Sequence, residues 1–264
     1  MTMQPDRPLA VVTGASSGIG FELAKQFATN GFDLIIAAED VELETAENEL
    51  RGLGAHVEPV RADLATEAGV EDLYDCMRGR PIAAVALNAG VGQGGPFAEN
   101  DLRDEFNIID LNVRSTVHLA KYAVRDMVAR GEGRILFTSS IASTMPGTFQ
   151  AVYNASKAFV QSFALALRQE LKDTGVTVTS LMPGPTDTEF FERADMEDTR
   201  VGSGDQDDPA DVARDGFEAM MKGDERVVSA SLSTKLQGRF SRAMPDKAKA
   251  AMHGRMAEPG SGSD

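Results

Sequence analysis

The chain has 264 residues, 42% of them hydrophobic and 25% charged, with a formal net charge of −15 and one cysteine. That is enough for one domain with a full core, expected to span 1–264 after a flexible start over 1–7. The acidic balance argues against nucleic-acid binding, which needs basic patches to meet phosphate.

No apolar run reaches membrane-spanning length, and the polar residues 1–8 lack the apolar core of a signal peptide. A cytoplasmic chain without a membrane partner is therefore expected. Cys76 sits in a helical pattern and reads as a helix residue rather than a nucleophile. His56, His118 and His253 are scattered, with neither a paired-ligand spacing nor a Ser/His pair. No metal and no triad are predicted.

Leu9–Thr13 is a short apolar run, readable as a buried strand. Gly14-Ala15-Ser16-Ser17-Gly18-Ile19-Gly20 follows, then Phe21, Leu23, Ala24, Phe27 and Ala28 at helical spacing. Strand, glycine-rich turn and helix form the context of a dinucleotide site. Glycines let backbone approach a pyrophosphate, and the helix N-terminus offers free N–H groups and a positive dipole end. The spacing is Gly-x-x-x-Gly-x-Gly rather than Gly-x-Gly-x-x-Gly. A tight turn without ligand is the plainer alternative, disfavoured by the flanking strand and helix.

Asn30-Gly31 closes the helix, and Asp33–Ala38 is the second strand. Glu39 and Asp40 follow it. A carboxylate there accepts from an adenosine 2′-hydroxyl and repels a 2′-phosphate, and no Arg or Lys stands nearby. This favours NAD over NADP. The same acids equally suit the cap of the next helix, 41–53. A third strand over 55–60 ends at Arg61-Ala62-Asp63-Leu64. Asp63 falls where an adenine amino group is met, or caps the helix beginning near Thr66. Arg61 meeting a phosphate would keep NADP open. Ile82–Leu87 is a fourth strand, broken by Asn88-Ala89-Gly90, whose small residues suit a crevice floor beside a flat ligand. The glycine-rich loop 91–96 is expected to form a wall of a substrate pocket.

Residues 104–130 read as a long helical region with Asn112 on an apolar face, where it needs partners. Gly133–Thr138 is the fifth strand and ends at Ser139-Ser140, which alone read as turn residues. The loop 145–150 leads to Tyr153-Asn154-Ala155-Ser156-Lys157, at the start of a helix over 151–174. Tyr and Lys four apart share a helix face. A fixed cation favours the phenolate and is expected to lower the phenol pKa from about 10, giving an acid–base group for alcohol/carbonyl chemistry.

The sixth strand, 176–181, is followed by Pro183-Gly184-Pro185-Thr186-Asp187-Thr188, a stiff turn. Residues 189–208 are acidic and punctuated by Gly202, Ser203 and Gly204, a mobile loop on the plain reading. A helix over 209–221 and a short last strand over 226–228 come next. Residues 231–256 carry Lys235, Arg239, Arg242, Lys247, Lys249 and Arg255, with Leu232, Leu236, Phe240 and Ala243 at helical steps. They read as a docked helix followed by a looser one, a solvated basic face or one that meets an acidic neighbour subunit. A disordered tail is predicted over 257–264. Alternation of strand and helix throughout implies a doubly wound α/β fold with ligands at the strands' carboxyl ends.

As a set, Thr13-Gly14-x-x-x-Gly18-x-Gly20, Asn88-Ala89-Gly90 and Tyr153-x-x-x-Lys157 resemble the short-chain dehydrogenase/reductase family, in its ordinary single-domain branch, across 9–228. The resemblance implies a Rossmann-type, seven-stranded, mostly parallel sheet with helices on both faces. It also implies reversible hydride transfer between NAD (or NADP) and a secondary alcohol or ketone. Catalytic residues would be Asn112, Ser140, Tyr153 and Lys157. Ser140 is chosen over Ser139 because it stands thirteen positions before Tyr153, the family's interval, and would steady the substrate oxygen. Asn112 would hold a water linking Lys157 to solvent, and Lys157 would also anchor the nicotinamide ribose.

Cofactor contacts are implied at Gly14, Ser16, Ser17, Gly18, Ile19 and Gly20, at Glu39, and at Asp63 and Leu64. Further contacts fall at Asn88, Ala89 and Gly90, and at Tyr153 and Lys157. Pro183, Gly184, Thr186 and Thr188 complete the set, with a Thr hydroxyl on the nicotinamide carboxamide and Thr188 the closer motif match. Residues 186–208 would form a lid, Phe190, Phe191 and Met196 pressing on an uncharged or apolar substrate. A homodimer or homotetramer is expected from the family alone. Two rivals stand beside this reading: an NADPH-dependent carbonyl reductase, and a nucleotide-sensing or scaffold protein without turnover.

Overall fold

The computed structural model describes residues 7–229 and 245–263. Seven strands form one sheet in the order β3-β2-β1-β4-β5-β6-β7. They are β1 Leu9–Thr13, β2 Asp33–Ala38, β3 Val57–Arg61, β4 Ile82–Leu87, β5 Gly133–Thr138, β6 Val176–Pro183 and β7 Arg226–Ser229. Every neighbouring pair is parallel. The strands read as apolar runs because helices cover both faces. In β1, Ala10 and Val12 face one core and Val11 the other.

The first core packs α1 (Gly18–Thr29) and α9 (Pro209–Lys222) on the sheet, with Phe27, Phe32 and Phe217 edge to face. The second packs α3 (Glu67–Met77), α5 (Thr116–Arg130) and α6 (Ala151–Glu170) on the other face through Leu73, Leu119 and Val160. α2 (Leu43–Gly52) covers β3. The strand order reverses between β1 and β4, and their carboxyl ends therefore open a crevice.

The region 104–130 is not one helix. α4 (Leu102–Ile108) passes into a π-helical turn, Ile109–Ser115, before α5. Asn112 lies in that turn. Its Oδ1 accepts from Val91 N at 2.9 Å, and its Nδ2 donates to Val91 O at 2.9 Å and to Ser156 Oγ at 3.0 Å. Those tertiary bonds accompany a local widening of the kind π turns provide at functional sites.

Residues 186–208 are built rather than loose. Asp187 N donates to Asp207 O at 2.9 Å and Asp207 N to Pro185 O at 2.8 Å, closing the base of the segment. Above it stand α7 (Phe190–Arg193) and α8 (Arg200–Ser203). A third apolar cluster joins Phe191, Ala194, Met196 and Ala257, with Phe149 packed against it.

Ala257 belongs to α10 (Asp246–Ala257). The tail after it, expected to be disordered, is held. Gly260 N donates to Asp198 Oδ2 at 2.8 Å, Gly262 N to Asp198 O at 2.7 Å, and Arg200 N to Ser261 Oγ at 3.1 Å. At the other end, Arg7 donates to the carbonyls of Ala28, Gly31, Phe32 and Gly54 and is anchored, contrary to the expected flexible start. The readings made for 1–6, for 230–244 and for Asp264 lie outside the described residues. No described helix is long and apolar enough to cross a membrane.

Candidate active site

The glycine turn is fastened to the end of β4 by the Thr13 hydroxyl and by the Asn88 side chain, whose Nδ2 donates to Thr13 O at 3.2 Å. Thr13 Oγ1 accepts from Asn88 N at 2.9 Å and Ala89 N at 3.0 Å. Gly14 has φ +64, and a Cβ on it would stand 2.9 Å from Ala89 Cα. A Cβ on Gly20 would fall 1.9 Å from Gly14 O. Ser17, the N-cap of α1, makes no side-chain cap bond, which leaves first-turn N–H groups to be met from the cavity. A bare backbone floor with unclaimed donors fits a dinucleotide pyrophosphate.

Gly14, Ser16, Ser17, Gly18, Ile19 and Gly20 line one continuous cavity with Asn88, Ala89 and Gly90. At the carboxyl end of β2, Glu39 and Asp40 line it too, as do Asp63 and Leu64 after β3. Glu39 is exposed, and its carbonyl accepts from Arg61 Nε at 3.1 Å. Asp40 Oδ2 accepts from Ser16 Oγ at 2.9 Å and lies 3.8 Å from Arg193 Nη1. Asp63 Oδ1 accepts from Ala65 N at 2.9 Å, and Thr66, not Asp63, caps α3.

The same cavity reaches Tyr153, Lys157 and Ser140. Geometry separates the two serines. Both line the cavity, but Ser139 Oγ donates to Lys157 O at 3.2 Å, whereas it is Ser140 that acts on the Tyr153 hydroxyl. Ser140 also N-caps a 3-10 turn, Ile141–Thr144, accepting from Ala142 N at 3.1 Å. Lys157 Nζ is 5.8 Å from the Tyr153 ring centroid and donates to Thr138 O at 3.1 Å.

One expectation is overturned here. Burial pushes the Tyr153 pKa up to about 12, opposed only by the Ser140 hydrogen bond. Burial pulls Lys157 down to about 8. Loss of hydration acts on both groups and outweighs the attraction inferred from their spacing.

Pro183, Gly184, Thr186 and Thr188 all line the cavity. Thr186 Oγ1 turns back onto Gly184 O at 3.0 Å. Thr188 stands against the glycine turn: a Cβ on Gly18 would come within 2.9 Å of Thr188 Cγ2. Phe190 packs 5.2 Å from the Tyr153 ring, and Phe190 and Phe191 both reach the cavity. Met196 does not line it. It is fully buried beneath the segment, where a Cβ on Gly94 would meet Met196 Cγ at 2.4 Å.

Arg193, Met252, His253 and Met256 line the cavity without having been foreseen. No local motif marks them, although Met252, His253 and Met256 stand at helical steps i, i+1 and i+4 on α10. Among the described residues, no group of three or more His, Cys, Asp or Glu side chains could hold a metal ion.

Comparison with known proteins agrees with this geometry. The family model for short chain dehydrogenase matches residues 8–198. Sulfoacetaldehyde reductase 2 of Chromohalobacter salexigens is 34% identical over 188 residues, 69% of this chain and 74% of the relative. Retinol dehydrogenase 8 of Bos taurus is 32% identical over 193 residues, covering 70% and 61%. Among solved structures, a short-chain dehydrogenase from Sphingobium yanoikuyae in complex with NADPH superposes with TM-score 0.80 at 27% identity, covering 90% of this chain and 96% of that one. One from Burkholderia phymatum in complex with NAD superposes with TM-score 0.78 at 26% identity, covering 89% and 92%. With the family model spanning most of its length, the chain belongs to the short-chain dehydrogenase family and is a nicotinamide-dependent oxidoreductase acting on CH–OH groups.

Proposed function

We propose that the protein interconverts a largely apolar secondary alcohol and its ketone, with NAD as the preferred cofactor. The observation that carries this reading is the convergence of Tyr153, Ser140 and Lys157 on a cavity continuous with the glycine turn. A bound nicotinamide dinucleotide supplies or takes up the hydride. Tyr153 Oη takes the hydroxyl proton in oxidation and returns it in reduction. Ser140 Oγ orients the substrate oxygen beside it. Lys157, when protonated, offsets negative charge developing at Tyr153. Asn112 Oδ1 keeps a second lone pair for a water that carries protons between Lys157 and solvent.

Glu39, Asp40 and Asp63 at the adenosine end support NAD, because that acidic rim opposes a 2′-phosphate. The apolar side chains of Phe190, Phe191 and Met145 on the cavity wall support an uncharged substrate. The test is turnover of apolar secondary alcohols and ketones with each cofactor. NAD(H) should give the higher kcat/KM. A preference for NADP(H) of about tenfold, or about 1.4 kcal/mol, would reverse the cofactor assignment, and Arg193 would become its reader.

Phe97, Phe106, Ile109 and Phe159 are exposed, and Phe97 and Ile109 border an apolar groove with Val113 and Val152. This supports a homo-oligomer formed through α4, the π turn and α6. Sedimentation should find a dimer or tetramer that Ile109→Glu dissociates. A wild-type monomer would remove that part of the reading.

A further inference from the structure

The mechanism leaves one buried titratable group on the cavity wall without a task. His253, 6% exposed on α10, places Nδ1 2.9 Å from the carbonyl oxygen of Thr148. A carbonyl only accepts, so Nδ1 carries the proton. Burial also pulls this imidazole below its ordinary pKa, which favours the neutral ring. The tautomer is thereby set, and Nε2 is a bare acceptor. Among the described residues, none donates to Nε2. His253 lines the cavity, as do Met252 and Met256 of the same helix. An acceptor placed there discriminates between ligands, because a bound molecule that offers no donor leaves it desolvated and unpaired.

We propose that His253 is a specificity-determining residue whose Nε2 accepts a hydrogen bond from a hydroxyl remote from the reacting carbon. The substrate class narrows to apolar ketones and alcohols that carry a second hydroxyl group. Met252 and Met256 on the same wall suit a bulky hydrocarbon body, since their thioether chains adapt to irregular shapes. This rests on reading the cavity as the substrate pocket of the oxidoreductase.

A purely structural role is the rival. Thr148 Oγ1 also donates to Ala250 O at 2.8 Å, so α10 already pins the loop 145–150 that leads to Tyr153. Phe149 in that loop holds φ +65, which is costly for a side chain bearing a Cβ and needs such support. His253→Asn separates the two roles. Its amide nitrogen takes the place of Nδ1 toward Thr148 O and leaves no acceptor at the Nε2 position.

The probes are 2-decalone and a set of 2-decalones hydroxylated at each other ring carbon in turn. Wild type should turn over at least one hydroxydecalone with a kcat/KM about tenfold above the parent. In His253→Asn that preference should fall to near unity. The same preference surviving in the variant, or an equal loss on both substrates, overturns the proposal.

A second measurement does not depend on the variant or on turnover. In wild type labelled with 15N-histidine, where only three histidines contribute, the His253 Nε2 resonance should be that of an unprotonated nitrogen. It should shift on adding the preferred hydroxydecalone, to a position distinct from that with the parent bound. An Nε2 that is protonated, or unmoved by every hydroxydecalone, overturns the proposal. Parent turnover with an unmoved Nε2 defeats this inference alone. A shifting Nε2 with no turnover by either cofactor leaves it standing and defeats the catalytic reading instead.

Discussion

The two sides of the cavity are built by different means. On the proposed cofactor side, backbone meets backbone: a Cβ on Gly20 would strike the Gly14 carbonyl at 1.9 Å, and one on Gly14 would press on Ala89 Cα at 2.9 Å. On the proposed substrate side, side chains fill the same kind of gap. A Cβ on Gly92 would meet the Phe190 ring at 2.5 Å, and one on Gly94 would meet Met196 at 2.4 Å. The first side draws on short segments at the ends of β1 and β4. The second gathers α7, the loop 145–150 and α10 from distant parts of the chain. A backbone floor suits a ligand that never changes. A wall of Phe, Met and His is the part that substitution can reshape without disturbing that floor.

Three substitutions probe the division where the expected effects are large. Tyr153→Phe should lower kcat by about a thousandfold and leave cofactor affinity, read by titration calorimetry, within about threefold. It removes a proton carrier without touching the floor. Substantial retained turnover would place acid–base chemistry elsewhere.

Lys157 sits at the seam between the two sides and links it to pH. Its pKa in the folded protein is about 8 against an ordinary 10.5. The unfolded chain therefore binds more protons between those values, and stability rises with pH across that window. Below about pH 8 the cost of the buried ammonium is present in full. Against Lys157→Met, wild type should gain up to about 3 kcal/mol in urea unfolding as pH rises from 8 to 10.5. Parallel curves for the two proteins would mean the ammonium is not desolvated.

Gly20→Ala should cost about 2–3 kcal/mol, with cofactor binding weakened in parallel, since neither the Gly14 carbonyl nor the turn can yield. A stable, cofactor-binding Gly20→Ala protein would erase the contrast between the two sides.

The same division sets what could be read from the sequence. Parallel strands covered on both faces appear as apolar runs, and Gly14 to Gly20 or Tyr153 to Lys157 are local spacings, so both stood in view. Asn112 was visible as a polar residue needing partners. The π turn around it was not, because those partners, Val91 and Ser156, lie 21 and 44 positions away. His253 meets Thr148 across 105 positions and carries no local signal. The glycine- and serine-rich tail has a disordered composition, yet Asp198 and Arg200 offer bonds that hold it. The direction of the Tyr153 pKa is hidden for a related reason: spacing shows a neighbour's charge but not the loss of water around both groups.

Gly92→Ala is the mildest and most discriminating probe of the contrast. Gly92 lines the cavity, and the nearest atoms to an added methyl are the far edge of the Phe190 ring rather than backbone. That ring can pivot about χ1 and χ2 toward the cavity, so the fold should lose less than about 1 kcal/mol in urea unfolding. Phe190 also packs on the Tyr153 ring with centroids 5.2 Å apart, which makes its displacement felt by substrate before it is felt by the core. KM for an apolar ketone should shift by about three- to tenfold, with kcat and cofactor affinity nearly unchanged, because neither Tyr153 Oη nor the glycine floor has moved. If instead the protein unfolds as readily as Gly20→Ala, the substrate wall is as rigid as the cofactor floor, and its side-chain construction confers no freedom to change.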